Sequence, residues 1–491
     1  MSRLPADCLN VIFEYLDNDL ITLHSCILVN RLWCEVSVEI LWRNVENYST
    51  SNFKTLIACL PNESKEILYE NRINIYNILP STSKLPIFNY ASFCKVLSVK
   101  RIHYKLENLL KNDHRFIPSQ TLISISINII AEEILKLFVK QIPSLERLEI
   151  TKFWQFLSLQ IPTTNFISYP EAKNCLKNLS MLCCSSNIPS DFFYKLSQIS
   201  HNISLLDLTV KHCIPIELVD FISAQKRLKC LNINVYHVRT DLITLLMKKI
   251  PNTLTKFNLY GISHNIPLLF MNNFTDLQEL HLELYHSRWF NNFEILQYTY
   301  FSKLQILKLK YALPKSELLI KFLEINGKNL REIYLCESGG YNDNPVNLTN
   351  LAIAKFCPIL RKLSTGIKSK ELGTLKIIFD SCQQLESIKI WCGNLFLNEK
   401  EALDTVVKYS KNIYEIILFY QDDIKFGILP EELESFFISW TDRMSQKSLS
   451  LIIVSFYSNS IDRHLENLKI IQKYLDLGVI KNFKAVDFTN D

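Results

Sequence analysis

The sequence predicts an α/β repeat: a short three-helix module followed by a long irregular array with parallel strands inside and helices outside. Two observations predict it. A six-residue pattern, aliphatic-x-x-aliphatic-x-aliphatic, returns along most of the 491 residues. Residues 4–42 hold 24 apolar residues in 39, against 48 % for the whole chain. Recurrence at roughly 20 to 50 residues marks stacked supersecondary units. An apolar excess in a segment too short to bury it marks something else.

Clear copies of the pattern start at Leu145, Leu176, Ile203, Leu228, Leu254, Leu277, Leu304, Leu330, Leu385 and Ile413. Weaker ones start at Phe93, Leu122, Leu360 and Leu449, and the mean interval is about 27 residues. The last two aliphatics alternate with variable residues, as a half-buried strand requires. The rest of each period reads as a helix, as in LITLLMKKI after Asp241 and LLIKFLEI after Glu317. A strand plus helix at this spacing resembles the leucine-rich repeat, so an irregular leucine-rich-repeat solenoid is expected over residues 91–491. Irregularity follows from the departures: the usual Asn or Cys that closes the strand turn is mostly missing, and glycine numbers only 9. Cys357 and Cys382 each precede a strand, in FCPIL and SCQQL, which resembles the cysteine-containing repeats of F-box proteins. They read as small buried thiols filling a turn, not as redox or metal groups.

The ends of the array should be capped. Residues 46–90, with a helical SKEILYENRI and a turn-rich LPSTSKLP at 79–86, read as a helical adaptor and linker. HLENLKIIQKYL and the polar KAVDFTND read as a last helix and a closing cap.

In residues 1–45, Leu4, Cys8, Leu9, Ile12, Phe13 and Leu16 follow helical spacing, with Pro5 near the start where its missing amide costs nothing. The DND at 17–19 breaks that helix and offers a cap. Leu20, Leu23, Ile27 and Leu28 give a second helix, and Leu32, Trp33, Val36, Ile40 and Leu41 a third. Three short helices cannot hide so many apolar side chains, which implies a docking face. Leu4-Pro5, Asp7, Leu9, Ile12-Phe13, Leu16, Leu20, Leu23, Cys26, Val29, Asn30-Arg31, Trp33 and Leu41-Trp42 resemble the F-box without a gap. The resemblance implies docking to a Skp adaptor and, through it, to the cullin and RING subunits of a ubiquitin ligase, while the repeats capture an unknown protein substrate. It makes Leu4, Pro5, Leu9, Ile12, Phe13 and Trp33 the adaptor-binding residues, each with a second reading as internal packing. The rival is a leucine-rich-repeat scaffold or inhibitor that binds a partner without directing ubiquitylation.

Other chemistries find little support. The formal charge is +5, from 54 basic and 49 acidic residues spread along the chain, so neither nucleic acid nor an anionic membrane is indicated. No apolar run follows a basic cluster at the start, and none approaches the roughly 18 residues of a membrane helix. A cytoplasmic or nuclear protein with reduced thiols is expected, since the 14 cysteines are scattered without CxxC pairs. There is no GxxxxGK loop and no HExxH, so no cofactor and no metal are expected. The chain reads as a non-catalytic receptor. Under the F-box resemblance, the catalytic thiol belongs to a separate ubiquitin-conjugating enzyme.

Strand alternation places one set of side chains on the concave side: Lys256, Asn258 and Tyr260; Glu279, His281 and Glu283; Lys308 and Lys310; Glu332 and Tyr334; Lys389 and Trp391; Glu415 and Phe419. Tyr334, Trp391 and Phe419 are the expected substrate anchors, with Lys308, Lys310 and Lys389 as steering charges. The lysines favour an acidic or phosphorylated segment, and the glutamates on the same face dilute that preference. A slip of one residue would invert every assignment.

Overall fold

The computed structural model describes residues 4–73, 86–111, 120–150, 165–236, 240–261, 268–285, 290, 293–335, 346–393, 395–420, 427–443, 447–455 and 460–486. The chain divides into two compact units, one of residues 1–234 with 249–251 and the other of residues 235–248 with 252–491. Both are α/β repeats with parallel strands.

The first unit begins with helices α1 (Ala6–Glu14), α2 (Leu20–Ile27), α3 (Arg31–Leu41), α4 (Thr50–Ala58) and α5 (Asn62–Glu70). It continues with β1 (Val96–Ser98), α6 (Val99–Lys111), α7 (Gln120–Gln141), β2 (Arg147–Glu149), α8 (Ala172–Leu176), β3 (Met181–Ser185), α9 (Ser190–Ile199), β4 (Leu205–Lys211) and α10 (Ile216–Ser223). The boundary between the units falls within β5 (Cys230–Tyr236). The second unit holds α11 (Thr240–Lys248), β6 (Lys256–Gly261), β7 (Glu279–Leu284), α12 (Phe293–Leu296), β8 (Ile306–Tyr311), α13 (Ser316–Asn326), β9 (Glu332–Leu335) and α14 (Val346–Phe356). After these come β10 (Lys362–Thr365), α15 (Leu372–Ser381), β11 (Ser387–Cys392), α16 (Glu399–Tyr409), β12 (Glu415–Tyr420), α17 (Pro430–Thr441), β13 (Leu449–Val454), α18 (Leu465–Asp476) and β14 (Ile480–Val486).

Register is set by one recurring device. In most coils the carbonyl just before the strand accepts two amides from the next coil, which uses both lone pairs of the oxygen. In the first unit Arg43 serves Lys95 and Val96, Lys95 serves Glu146 and Arg147, Glu146 serves Ser180 and Met181, and Ser180 serves Ser204 and Leu205. In the second unit Thr255 serves Gln278 and Glu279, Gln278 serves Gln305 and Ile306, and Gln305 serves Arg331 and Glu332. Inward residues then stack in register, Leu148 on Leu182 on Leu206 in one unit, and Phe257, Leu280, Leu307, Ile333 and Leu363 in the other. All are buried.

The weaker copies misplace the phase. LISISI at Leu122 lies inside the 22-residue helix α7, because its alternation runs on into apolar residues at helical spacing, among them Ile127, Ile130, Ile134 and Phe138. Leu176 ends α8; the buried pattern of that coil is Leu179, Leu182 and Cys184, three residues on. At β1 and β13 consecutive aliphatics hide a shift of one residue, since Leu97 pairs with Leu148 and Leu451 with Ile416. A last strand, β14, follows α18 where only a cap was expected, and residues 487–491 of that cap lie outside the described residues. Residues 44–70 are built as a first coil: Asn44 bridges to Val96 in parallel, α4 lies beside α6, and α5 beside α7. Most of the 79–86 turn lies outside the described residues.

Several turns before strands are closed by side chains. Cys382 Sγ donates to the Cys357 carbonyl at 3.4 Å, and burial pushes the Cys382 thiol up to about 12, so it stays a protonated filler. Amides do the same work at other turns. Gln225 Oε1 accepts from the Ile203 amide and Nε2 donates to the Ser200 and Phe221 carbonyls. Asn326 Oδ1 accepts from the Phe301 amide at 2.8 Å, and Nδ2 donates to the Thr299 and Phe322 carbonyls at 2.9 and 3.1 Å. Asn326→Ala would leave an amide and two carbonyls without these partners in a buried turn. An expected loss of about 2 to 3 kcal/mol follows, read as a lower urea midpoint. A midpoint equal to wild type would show that water replaces the amide.

Candidate functional site

Two surfaces carry chemistry beyond packing. The first is the three-helix module. Asp19 caps α2, accepting from Thr22 Oγ1 at 2.6 Å and the Thr22 amide at 3.1 Å, and these bonds hold its carboxyl below the usual range. Asn30 caps α3 through the Trp33 amide at 3.0 Å. Leu9, Phe13, Leu23 and Cys26 are buried, and Phe13 meets Trp33 edge-on with ring centroids 5.0 Å apart. Leu9 and Phe13 are therefore core residues rather than docking residues, and Trp33 is half-buried against them. Leu4, Pro5 and Ile12 remain exposed.

Beside Leu4 and Ile12, further apolar side chains stand exposed on the first two helices, and among them the sequence pattern does not mark Tyr15 and Ile21. Leu4 just before α1, Cys8 and Ile12 within it and Tyr15 at its C-cap follow helical spacing, and Ile21 and Leu28 lie near the two ends of α2 with only the hydroxyl-bearing Ser25 between them on that side. Tyr15, Ile21 and Leu28 are 88 %, 82 % and 86 % exposed. Folding alone does not account for so much exposed hydrocarbon on helices this short, whereas a partner surface would. The module is fixed to the first coil: Arg43 accepts the Lys95 and Val96 amides, and Trp42 packs on Tyr48 and Tyr90 at 4.9 and 4.4 Å.

The second surface is the outward strand face of the second unit. The pairing aligns Asn258, His281, Lys308, Tyr334, Ser364 and Lys389 in one row across β6 to β11. A neighbouring row is closed by its own partners. Lys256 pairs with Glu279 at 2.9 Å, Lys362 with Glu332 at 3.4 Å, and Ser387 Oγ donates to Glu415 at 2.6 Å. In the middle row Lys308 Nζ lies 4.8 Å over the Tyr334 ring, whose hydroxyl donates to Glu332. Lys308, Lys310 and Tyr334 are each partly exposed.

The other three expected substrate residues are buried. Trp391 is 0 % exposed. The segment after β11 folds back over it: the Leu397 amide donates to the Ile367 carbonyl at 3.0 Å, Ser369 Oγ donates to the Phe396 carbonyl at 2.9 Å, and the Phe396 ring stands perpendicular to the indole at 5.4 Å. Gly366 lets the indole approach, since a Cβ there would fall 2.1 Å from the ring. Phe419 is buried with the Lys389 ammonium 4.5 Å over its ring, and Lys389 is itself buried. Alternation named the correct face, but burial removes these three from contact with a partner, and at Trp391 the returning segment is what covers the ring.

A buried carboxyl joins the same coils. Glu399 opens α16, accepts from the Tyr420 hydroxyl and the Ile428 amide, and Tyr420 in turn accepts from the Ile461 amide at 3.3 Å. Burial raises its pKa from 4.5 to about 7 against those hydrogen bonds, with Asp462 pushing the same way. A carboxyl raised on folding stabilises most below its unfolded value, and that contribution fades as pH rises through the folded value. Wild type should thus lose about 3 kcal/mol relative to Glu399→Gln between pH 4.5 and 8. Parallel stability curves in urea would show that Glu399 does not titrate in this range.

Among the described residues no group of three His, Cys, Asp or Glu could hold a metal ion, and no helix is long and apolar enough to cross a membrane. No protein-family model and no curated protein matches the chain. Among solved structures it is similar to a chain of the yeast Rad7 and Elc1 complex, at 16 % identity over 57 % of this chain and 77 % of that one, with a TM-score of 0.37. It is also similar to the leucine-rich repeat-containing protein LegL7 from Legionella pneumophila, at 13 % identity over 65 % and 96 %, with a TM-score of 0.36.

Proposed function

We propose that this chain is a substrate receptor of a Skp-cullin-F-box ubiquitin ligase. Helices α1 and α2 dock on the Skp adaptor, and the strand face around Lys308, Lys310 and Tyr334 receives a protein substrate. The observation that carries the reading is the set of exposed apolar side chains on a short module whose sequence resembles the F-box. A receptor needs no catalytic group of its own. It raises the concentration of substrate lysines near a conjugating enzyme, and a module joined to its repeats without a slack linker keeps that distance narrow.

The test is capture of the full chain from cells, followed by comparison of ubiquitylated proteins with and without it. Co-capture of the adaptor and a cullin, with at least one protein whose ubiquitylation depends on this chain, is expected. Adaptor capture with no dependent ubiquitylation would favour a scaffold or inhibitor that binds without directing degradation.

A further inference from the structure

One buried carboxyl gathers three successive coils of the second unit. Glu399 opens α16, and one of its oxygens accepts from the Tyr420 hydroxyl at the end of β12. The other accepts from the Ile428 amide, two residues ahead of α17. The Tyr420 hydroxyl accepts in turn from the Ile461 amide, ahead of α18. From the far side, Asn467 Nδ2 on α18 donates to the Ile428 carbonyl at 3.2 Å. Ile428 is thus gripped from α16 at its amide and from α18 at its carbonyl.

The closed arrangement is costly in one protonation state. The groups facing the carboxyl are Tyr420 from β12, Cys392 from β11 and Asp462 from the segment before α18, while the approach to α17 offers only the Ile428 amide. None is a cation, and Asp462 is engaged by Ser460 Oγ at 2.6 Å and Arg463 Nε at 3.5 Å. A buried carboxylate without a cation is stabilised by its hydrogen bonds alone, and here burial outweighs them. Asn467 Oδ1 is a second buried acceptor, with no hydrogen-bond partner among the described residues, and water would satisfy both on opening. Opening is a short step, because Leu429, next to Ile428, is already 57 % exposed. The helices stay in place: Phe437 stacks on Tyr474 at 4.6 Å, and the Lys400–Glu432 and Lys473–Glu434 pairs join α16 to α17 and α17 to α18.

We infer that Glu399 is a proton-operated latch: while protonated it holds residues 427–429 and 460–461 in place, and its ionisation frees both segments into water without unfolding the coils. The latch acts within the fold and does not depend on the receptor reading. Its sign follows from linkage. The closed form binds the proton more tightly than the open form, at about 7 against 4.5. Closure is therefore most favoured below the lower value, weakens as pH rises between the two, and levels off above the higher one.

The experiment is amide exchange on the full chain, read by mass spectrometry at Ile428 and Ile461 from pH 5 to 8 and corrected for the intrinsic rate at each pH. Protection of both amides should fall about 50-fold across that range, most of it below pH 7. Exchange through local opening is insensitive to dilute urea, whereas exchange through unfolding accelerates with it. Ile428 and Ile461 should be insensitive, and Leu418 within β12 should accelerate. Glu399→Gln keeps the shape and cannot ionise, so its protection should vary less than about threefold over the same range. Tyr420→Phe keeps the carboxyl and removes the bridge, so Ile461 should lose protection at every pH while Ile428 still follows pH. Wild-type protection that does not change with pH overturns the inference. So does an equal pH dependence in folded Glu399→Gln, or urea-sensitive exchange of Ile428 and Ile461 in step with Leu418.

Discussion

Trp391→Ala should lower the stability of the second unit by about 3 to 5 kcal/mol, although the position reads in sequence as an exposed anchor. The indole is fully buried, with Phe396 perpendicular to it and Gly366 beneath it. Gly366 has no side chain to move into the space. The Phe396 ring is held by a backbone that is itself tied to Ile367 and Ser369. The cavity therefore cannot collapse, and the cost lies towards the upper end of the range for aromatic truncations. A residue that anchored a partner would behave oppositely, leaving the urea midpoint in place and weakening capture. An unfolding free energy within about 0.5 kcal/mol of wild type would return Trp391 to the surface. Gly366→Ala tests the same contact from below, since its new methyl would be forced into the indole.

The error at Trp391 has a definite cause. Alternation within a strand is a local property, so a sequence reads it well wherever one aliphatic phase dominates, as at Leu277, Leu280 and Leu282. Whether a side chain on the outward face meets solvent depends on residues that come later in the chain. Phe396 covers Trp391 only because Leu397 pairs with Ile367, a contact with no local signature. The turn amides Gln225 and Asn326 escape notice for a similar reason. Their partners, Ile203 and Phe301, lie one coil earlier, and neither residue stands out in composition. Phase is lost where apolar residues run together, as in LSLIIV at β13, because such a run satisfies two registers. In the three-helix module helical spacing separates faces, and it found all three helices. It could not say which of the apolar side chains turn inward. Phe13 and Ile12 are adjacent in sequence, and only packing against Trp33 decides that the first is core.

That distinction sets the largest expected effect on binding. Ile21→Ala with Leu28→Ala should lower adaptor affinity about 100-fold or more, while the thermal midpoint stays near wild type. Both side chains are more than four-fifths exposed on one side of α2, so their removal opens no cavity. An apolar anchor that becomes buried at the centre of an interface contributes on the order of 2 kcal/mol. Two neighbouring anchors fall somewhat short of additivity, leaving roughly 3 kcal/mol, which is the stated change in affinity. Leu23→Ala on the same helix is the contrasting variant. Leu23 is fully buried, so it should cost about 2 to 5 kcal/mol of module stability and weaken adaptor binding only through unfolding. Titration of recombinant adaptor into each variant, beside its melting curve, separates the two cases. Wild-type affinity in a folded Ile21→Ala, Leu28→Ala chain would remove α2 from the interface and leave α1, through Leu4, Ile12 and Tyr15, as the surface to substitute next.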